Sequence, residues 1–235
     1  EYLKAKYWLH KRSSPELRQA TKGLGRFLAT PMVSKYRLFV WLHEVRLPEN
    51  ACIAIARCDD TTFGVLHSRF HEVWSLATGT SLEDRPRYTP STCFETFPFP
   101  TGLTPANTKG QTTTQHGLIL PPVTADVLPH AIAIAQAAFT LNHLRENWLN
   151  PPEWTERIPE VVAGYPDRIV AKKGHETELK KRTLTNLYNT MPQWLKTAHA
   201  NLDKAVAAAY GWTDYTAEMS DQEILARLLT LNLAR

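Results

Sequence analysis

The chain has 235 residues, of which 27 are Lys or Arg and 23 are Asp or Glu, giving a net charge of +4. Hydrophobic residues make up 43% and charged residues 21%, which is ordinary for a soluble globular protein. No run of about 18 apolar residues is present, so we expect no transmembrane helix. The N-terminal stretch also lacks the apolar core of a secretory signal. The length allows one large domain or two small ones.

The positive charge is concentrated near the N-terminus. Residues 1–46 contain ten Lys or Arg and three Glu, an excess of +7, whereas residues 117–235 balance to −1. A basic region of this kind suits a polyanion, because each phosphate that it neutralises releases condensed counterions. A solvated helix face has the same composition, so charge alone leaves both interpretations open.

The three cysteines, Cys52, Cys58 and Cys93, are odd in number and have no CxxC spacing. Reduced thiols are the simplest interpretation, and they indicate a cytoplasmic protein.

The first quarter of the chain predicts a helical segment and then two strands. Residues 1–28 carry partial apolar stripes, and Pro15 marks a new helix start. From Thr30 the pattern becomes extended. Residues 37–42 and 52–58 are apolar, strand-like runs separated by the turn-like sequence LPEN.

Residues 61–79 predict one amphipathic helix. Thr61 or Thr62 can cap its first turn, and Gly79 stands where a left-handed C-terminal residue is expected. The apolar stripe comprises Phe63, Leu66, Phe70, Val73, Trp74 and Ala77. The residues predicted on the opposite, polar face are His67, Ser68, Arg69, His71 and Glu72.

A charged loop and an aromatic strand are predicted next. The sequence SLEDRPRYT places Glu83, Asp84, Arg85 and Arg87 within five residues. Residues 92–97 then alternate in a β-prone run that Pro98 ends. The aromatic residues expected in the core are Tyr88, Phe94, Phe97 and Phe99.

The second half of the chain predicts helices. Residues 101–125 have the composition of a linker, and an irregular crossover precedes residue 175. Ser220 and Glu223 can form a capping box. The predicted helices span residues 124–148, 175–191, 192–211 and 220–235. The predicted fold class is therefore α+β, with a mixed α/β unit followed by a mostly helical domain.

The sequence LEDRPRY at 82–88, followed by FETFPFP at 94–100, resembles the target recognition domain of Mme-type single-chain restriction–modification enzymes and their DNA adenine methyltransferase relatives. Further stretches resemble the same family in order and spacing: TPMVSKYRLFVWL, GVLHSRFHEVW, RTLTNLYN and DQEILARLLTLN. The resemblance covers nearly the whole chain. It implies a helical link from an upstream catalytic domain at 1–28, a target recognition domain at 29–116 and a helical C-terminal domain at 117–235.

The resemblance implies sequence-specific recognition of double-stranded DNA for a type II restriction–modification DNA adenine-N6 methyltransferase. The partners would be DNA and an upstream methyltransferase domain, which would hold S-adenosylmethionine. Because Arg reads guanine and Glu accepts from cytosine, the expected base-reading residues are Glu83, Arg85 and Arg87. The expected phosphate contacts are Lys22, Arg26, Lys35, Arg37, His67 and Arg69.

We expect the chain itself to hold no methyl-donor, nuclease or metal site. Asn150-Pro151-Pro152 resembles a methyltransferase loop, but Glu153 cannot stack on a base and no glycine-rich cofactor loop precedes it. Asp167 with Glu178 and Lys180 resembles a nuclease motif, but the latter two fall in a predicted helix.

Two other functions stay open on sequence alone. The chain could be a protein–protein scaffold whose basic arm is incidental. It could also be a metal-dependent hydrolase using His67, His71 and Glu72, although Ser68 replaces the Glu that zincins have after the first His.

Overall fold

The computed structural model describes residues 14–82 and 85–234. Helix α1 (Pro15–Thr21) leads to strand β1 (Arg26–Pro31), the central strand of a three-stranded antiparallel sheet. Strands β2 (Val40–His43) and β3 (Cys52–Ile55) pair with its two edges. Much of the predicted helical segment, residues 1–13, lies outside the described residues.

Strand β1 begins inside the segment predicted to be helical. Gly23 and Gly25 adopt positive φ angles of 79° and 72°, conformations that end a helix and suit glycine. Phe27, Leu28 and Ala29 are then buried in succession, so the strand shows no alternating pattern. A short apolar run of this kind does not distinguish a strand from a buried helix by its periodicity.

The predicted helix over 61–79 is two helices, α2 (Asp60–His67) and α3 (Arg69–Thr78), separated by the extended residue Ser68. Asp59, rather than Thr61 or Thr62, caps α2 by accepting a hydrogen bond from the Thr62 amide at 2.7 Å. The extended Ser68 interrupts the helix, so the spacing rule of one continuous helix does not hold across it.

The charged loop forms a hairpin of β4 (Thr80–Leu82) and β5 (Arg85–Arg87). The prediction of a strand at 92–97 was wrong. Pro90–Phe94 form a π-helical turn in which the Glu95 amide donates to the Pro90 carbonyl. The aromatic alternation still buries Phe97 and Phe99, since the turn directs both rings into the core.

The segment predicted to be a linker is folded onto the helices. It contains a hairpin of β6 (Thr113–Gln115) and β7 (Leu118–Leu120), and Leu118 and Leu120 pack with Ala135. The Ile119 amide also donates to Asp60 at 2.8 Å. The division into recognition and helical domains at 116/117 stays a prediction.

The remaining helices largely match their predictions. Helix α4 (Leu128–Leu149) is followed by a hairpin of β8 (Thr155–Ile158) and β9 (Arg168–Ala171), which the sequence did not predict. The helix predicted at 175–191 is split at Arg182-Thr183 into α5 (Glu176–Lys181) and α6 (Leu184–Thr190). Helices α7 (Gln193–Ala209) and α8 (Asp221–Leu233) follow, and Ser220 caps α8.

One hydrophobic core runs from the sheet to the last helix. It includes Leu28 of β1, Phe63 of α2, Leu141 of α4 and Leu228 of α8, all fully buried. The fold class is α+β with a mostly helical C-terminal part, as predicted. Among the described residues, no helix combines the length and apolar character needed to cross a membrane.

Gly64 lets α2 approach α4 and α7 closely. A Cβ atom at this position would lie 2.6 Å from Ile134 Cγ2 and 3.1 Å from Leu202 Cδ1. We expect Gly64→Ala to lower the free energy of unfolding by about 1–3 kcal/mol, since overpacking outweighs the gain in helix propensity. Urea unfolding measures the change. The control Thr140→Ala, on an exposed face of α4, raises helix propensity without crowding and is expected to leave stability unchanged or slightly higher. Equal stabilities for the two variants would contradict the close contact.

Candidate nucleic-acid interface

The hairpin β4–β5, hereafter the recognition hairpin, presents two exposed arginines. Arg85 and Arg87 are two residues apart on β5, so their side chains leave the same face, while Pro86 points the other way. Neither guanidinium has a hydrogen bond or an ion pair within the described part of the chain, which omits Glu83 and Asp84. Arg85 and Arg87 are therefore placed where a ligand can reach them, and Glu83 lies outside the described residues.

The recognition hairpin is attached to the segment that follows β1. The Tyr88 amide donates to the Met32 carbonyl at 2.7 Å, and the Ser34 amide donates to the Pro86 carbonyl at 3.3 Å. Val33 forms an isolated antiparallel bridge with Arg87. These bonds fix the backbone that carries the two arginines, so the pair is presented by a supported strand rather than a free loop.

Arg37 supports the same hairpin through hydrogen bonds. Its side chain is only 7% exposed, and it donates to Thr30 Oγ1, to the Pro31 carbonyl and to the Pro86 carbonyl. The guanidinium lies 4.9 Å from the centre of the buried Tyr88 ring. Burial lowers the pKa of Arg37. The prediction that Arg37 contacts DNA phosphate is thus not supported, since its donors are directed at protein oxygens.

Gly79 is needed at the start of the hairpin for a different reason from the predicted one. Its φ is −75°, so the residue is not left-handed. A Cβ atom there would lie 2.6 Å from the Ser75 carbonyl oxygen and 2.8 Å from the Arg87 carbonyl oxygen. Glycine therefore allows the end of α3 to touch the backbone of β5.

The histidines predicted on a polar face are buried. His67 Nε2 accepts from the Phe39 amide at 3.1 Å and from Arg145 Nη1 at 2.7 Å. His71 Nδ1 donates to the Leu66 carbonyl, and its Nε2 accepts from the Tyr88 hydroxyl at 3.1 Å. His67 cannot be the predicted phosphate contact, because its ring is enclosed by protein.

The two imidazoles also do not form the alternative metal site. Their bonded ring nitrogens serve different protein groups, since His67 bonds to Phe39 and Arg145 whereas His71 bonds to Leu66 and Tyr88. Within 14–82 and 85–234, no group of three or more His, Cys, Asp or Glu is arranged to hold a metal ion.

Three of the other predicted phosphate contacts have protein partners. Arg26 forms an ion pair with Asp60 at 2.7 Å and stacks on Trp41. Arg69 bonds to Asp221 and to the Ala217 and Met219 carbonyls, which attaches α3 to the start of α8. Lys35 Nζ donates to Asn189 Oδ1 at 2.7 Å. Lys22 is exposed. Several of the basic residues that were predicted to contact phosphate therefore bond to the protein itself.

Sequence reasoning missed Arg145, which is fully buried in α4. Its Nη2 donates to the Phe39 carbonyl at 3.1 Å while Nη1 donates to His67, so it connects α4 both to α2 and to the residue before β2. A signal was present: Arg145 continues the core-facing spacing of Ala131, Ile134, Ala138 and Leu141.

Burial of uncharged histidines predicts a stability that depends on pH. Burial lowers the pKa of His71 to about 3 and that of His199 to about 4, and it lowers the pKa of His67 well below 6.5. A depressed pKa gives stability that is present above the unfolded value of 6.5 and is lost as pH falls. Burial opposes this trend at Asp203, whose pKa it raises to about 7, and at Glu72 and Asp60, whose pKa values it raises from 4.5 and 3.8. The histidines, whose unfolded pKa is 6.5, act over more of the range above pH 4.

We therefore expect the free energy of unfolding to decrease steadily as pH falls from about 6.5 towards about 4. Urea unfolding across that range measures it, and NMR titration follows the individual rings. The control His130→Gln removes an exposed histidine and is expected to leave the slope unchanged. A folded-state pKa near 6.5 for His71 or His199 would contradict their burial.

Family models match the two parts of the chain that carry these features. Residues 25–101 match the model described as MmeI, target recognition domain, and residues 170–233 match the model described as MmeI, C-terminal domain. Together the matched ranges cover more than half of the chain. The chain therefore belongs to this family, as an MmeI-type recognition fragment with its C-terminal domain.

A solved structure has the same fold. The chain is similar to the Type IIL restriction-modification enzyme MmeI in its complex with DNA, with a TM-score of 0.57 and 22% sequence identity. The similarity covers 89% of this chain and 21% of that enzyme, so the chain spans about a fifth of the enzyme's length. No curated protein sequence matches the chain.

Proposed function

We propose that this chain is the sequence-specific recognition module for double-stranded DNA in a type II restriction–modification DNA adenine-N6 methyltransferase. The observation that carries the proposal is the recognition hairpin, whose Arg85 and Arg87 leave one face with no protein partner among the described residues. It lies inside the range matched by the target recognition domain model. The similar enzyme MmeI was solved in complex with DNA, which supports DNA as the ligand.

Arg85 and Arg87 are suited to base reading by their chemistry. A guanidinium donates two hydrogen bonds to O6 and N7 of guanine in the major groove. A two-stranded ribbon fits that groove, and the buried Arg37 holds the ribbon in place. Glu83, whose carboxylate can accept from the cytosine amino group, is proposed as a further base-reading residue. The exposed Lys22 is proposed to contact phosphate, with Lys35 as a second contact beside Asn189.

The catalytic steps are proposed to take place elsewhere in the polypeptide. The chain corresponds to about a fifth of the similar enzyme, and we propose an upstream methyltransferase domain that binds S-adenosylmethionine in the cytoplasm. Within this chain, Glu178 lies in α5 and forms an ion pair with Lys181 at 2.7 Å, so it is engaged on a helix rather than placed on a nuclease strand.

Selection from a randomised duplex pool tests the proposal. The purified chain is incubated with the pool at two salt concentrations, and bound duplexes are sequenced. We expect enrichment of one short sequence, with an affinity that falls as salt rises because phosphate contacts release counterions. Absence of any duplex affinity at low salt, together with a salt-insensitive protein partner, would support the scaffold alternative instead.

A further inference from the structure

Asn189 of α6 connects the C-terminal helices to the segment that holds the recognition hairpin. Its Oδ1 accepts from Lys35 Nζ at 2.7 Å and from the Tyr36 hydroxyl at 2.8 Å. One residue earlier in the chain, the Ser34 amide donates to the Pro86 carbonyl of the recognition hairpin at 3.3 Å. Asn189 is therefore linked to the hairpin through two adjacent residues, although it falls within the range matched by the C-terminal domain model.

The orientation of the Asn189 side-chain amide follows from the chemistry of its partners. A lysine ammonium group donates hydrogen bonds and accepts none, so the atom that faces Lys35 has to be the carbonyl oxygen. Both partners therefore use Oδ1, and the NH2 group at Nδ2 keeps its two N–H donors. Within the described part of the chain Nδ2 has no hydrogen-bond partner, and Asn189 is exposed. Two amide donors are thus available to a ligand.

Lys35 adds further donors at the same place. One of its three N–H groups bonds to Asn189, and no carboxylate of the described residues pairs with it. Amide bond lengths keep Oδ1 and Nδ2 within about 2.6 Å of each other, so Lys35 Nζ and Asn189 Nδ2 are at most about 5.3 Å apart. Two oxygen atoms of one phosphate group can accept from donors at that separation. Asn189 and Lys35 therefore form an exposed donor pair with a positive charge.

A purely structural role explains only part of this arrangement. The cation of Lys35 is favoured at the C-terminal end of α6, and its bond to Oδ1 holds the segment after β1 against that helix. That role leaves the NH2 group of Asn189 unused. Base reading fits less well, because asparagine reads adenine by donating and accepting together, and Oδ1 already accepts two hydrogen bonds. The pair is suited to a ligand that only accepts.

We propose that Asn189 and Lys35 together bind one backbone phosphate of the DNA duplex, beside the bases that the recognition hairpin reads. This inference rests on the proposed function, since it takes duplex DNA as the ligand. The phosphate oxygens accept from Asn189 Nδ2 and Lys35 Nζ, while the bond from Tyr36 holds Oδ1 in place. A phosphate contact positions a protein on the duplex without reading sequence. The C-terminal helices thereby help to place the recognition hairpin in its groove.

The variant Asn189→Asp separates phosphate binding from the structural role. Aspartate has nearly the same shape and keeps an oxygen acceptor for Lys35 and Tyr36, but it replaces the NH2 donors with a second acceptor. We expect unchanged or higher stability in urea unfolding, and an affinity for the selected duplex that is lower by about tenfold or more. The selected sequence is expected to stay the same. Unchanged affinity would overturn the proposal, and so would a changed base preference.

Asn201→Asp is the matched control, because it adds the same charge at another exposed asparagine. Asn201 lies on the side of α7 that faces α4. Salt screens charges that are far from the bound duplex, so we expect the control to change the affinity by less than about threefold. Equal losses in the two variants would assign the effect to long-range charge and rule out the phosphate contact.

Duplexes that carry one uncharged methylphosphonate linkage locate the contact. The linkage is moved along the selected duplex, and binding is measured for the unmodified chain and for Asn189→Ala. At the contacted phosphate we expect the two losses not to add, since both changes remove the same interaction. At the other phosphates the losses should add. Additive losses at every linkage would contradict the proposal.

Failure of this site differs from failure of the proposed function. If the unmodified chain binds no duplex at low salt, the proposed function fails and the phosphate site fails with it. If the chain selects a duplex but the losses add at every linkage, only the phosphate site fails. Inorganic phosphate added at constant ionic strength is not expected to displace the duplex, because an exposed pair holds a phosphate only together with other duplex contacts. Displacement would assign the pair to a free anion instead.

Discussion

Replacing Arg85 or Arg87 by alanine is expected to change the duplex sequence that the chain selects. Each bidentate arginine contact to guanine contributes about 1–3 kcal/mol of discrimination, or roughly fivefold to more than a hundredfold against the wrong base pair. We expect each variant to lose the preference at one position while keeping it at the others. Selection from a randomised duplex pool, followed by affinity measurements at two salt concentrations, tests this.

The salt dependence distinguishes base reading from phosphate contact. Loss of a base contact leaves the slope of affinity against salt unchanged, whereas loss of a phosphate contact flattens it for every sequence. The control Arg157→Ala removes an exposed arginine from β8, away from the recognition hairpin, and is expected to leave the selected sequence unchanged. An unchanged selection by both hairpin variants would rule out base reading by this pair.

Replacing Arg37 by methionine is expected to affect stability and recognition together. The side chain connects Thr30 and Pro31 to Pro86, so its loss removes a donor from the Thr30 hydroxyl and from the Pro31 and Pro86 carbonyls. We expect the free energy of unfolding to fall by about 1–3 kcal/mol. The recognition hairpin would lose a support, so the base preference should weaken at every position read by Arg85 and Arg87. Urea unfolding and duplex selection measure the two effects.

The variants Arg37→Lys and Arg46→Met provide controls for Arg37→Met. Arg37→Lys keeps the charge but cannot reproduce the planar set of donors that reaches three acceptors, so it is expected to restore little of the lost stability. Arg46→Met removes an exposed arginine from the same basic region and should change neither measurement. Full recovery with lysine would show that charge, rather than directed hydrogen bonding, is what the hairpin needs.

Local sequence determined much of the architecture. The spacing of apolar residues predicted α4, α7 and α8, because long periodic runs specify both the type of element and its buried face. The motif LEDRPRY predicted the family, and the matching target recognition domain model confirmed it. The α+β class followed from the change from strand-like runs to helical periodicity.

Only the tertiary structure decided which polar residues are available to a ligand. Helical spacing placed His67 and His71 opposite the apolar stripe, but the break at Ser68 and the packing of α4 and Tyr88 enclose both rings. Arg37 belongs to the basic region by composition, yet it is buried beneath Pro86. The sequence by itself determined the family, the main helices and the exposed pair Arg85 and Arg87. It could not show that Arg37, His67 and Asp203 are buried, because the residues that cover these side chains lie far away in the chain.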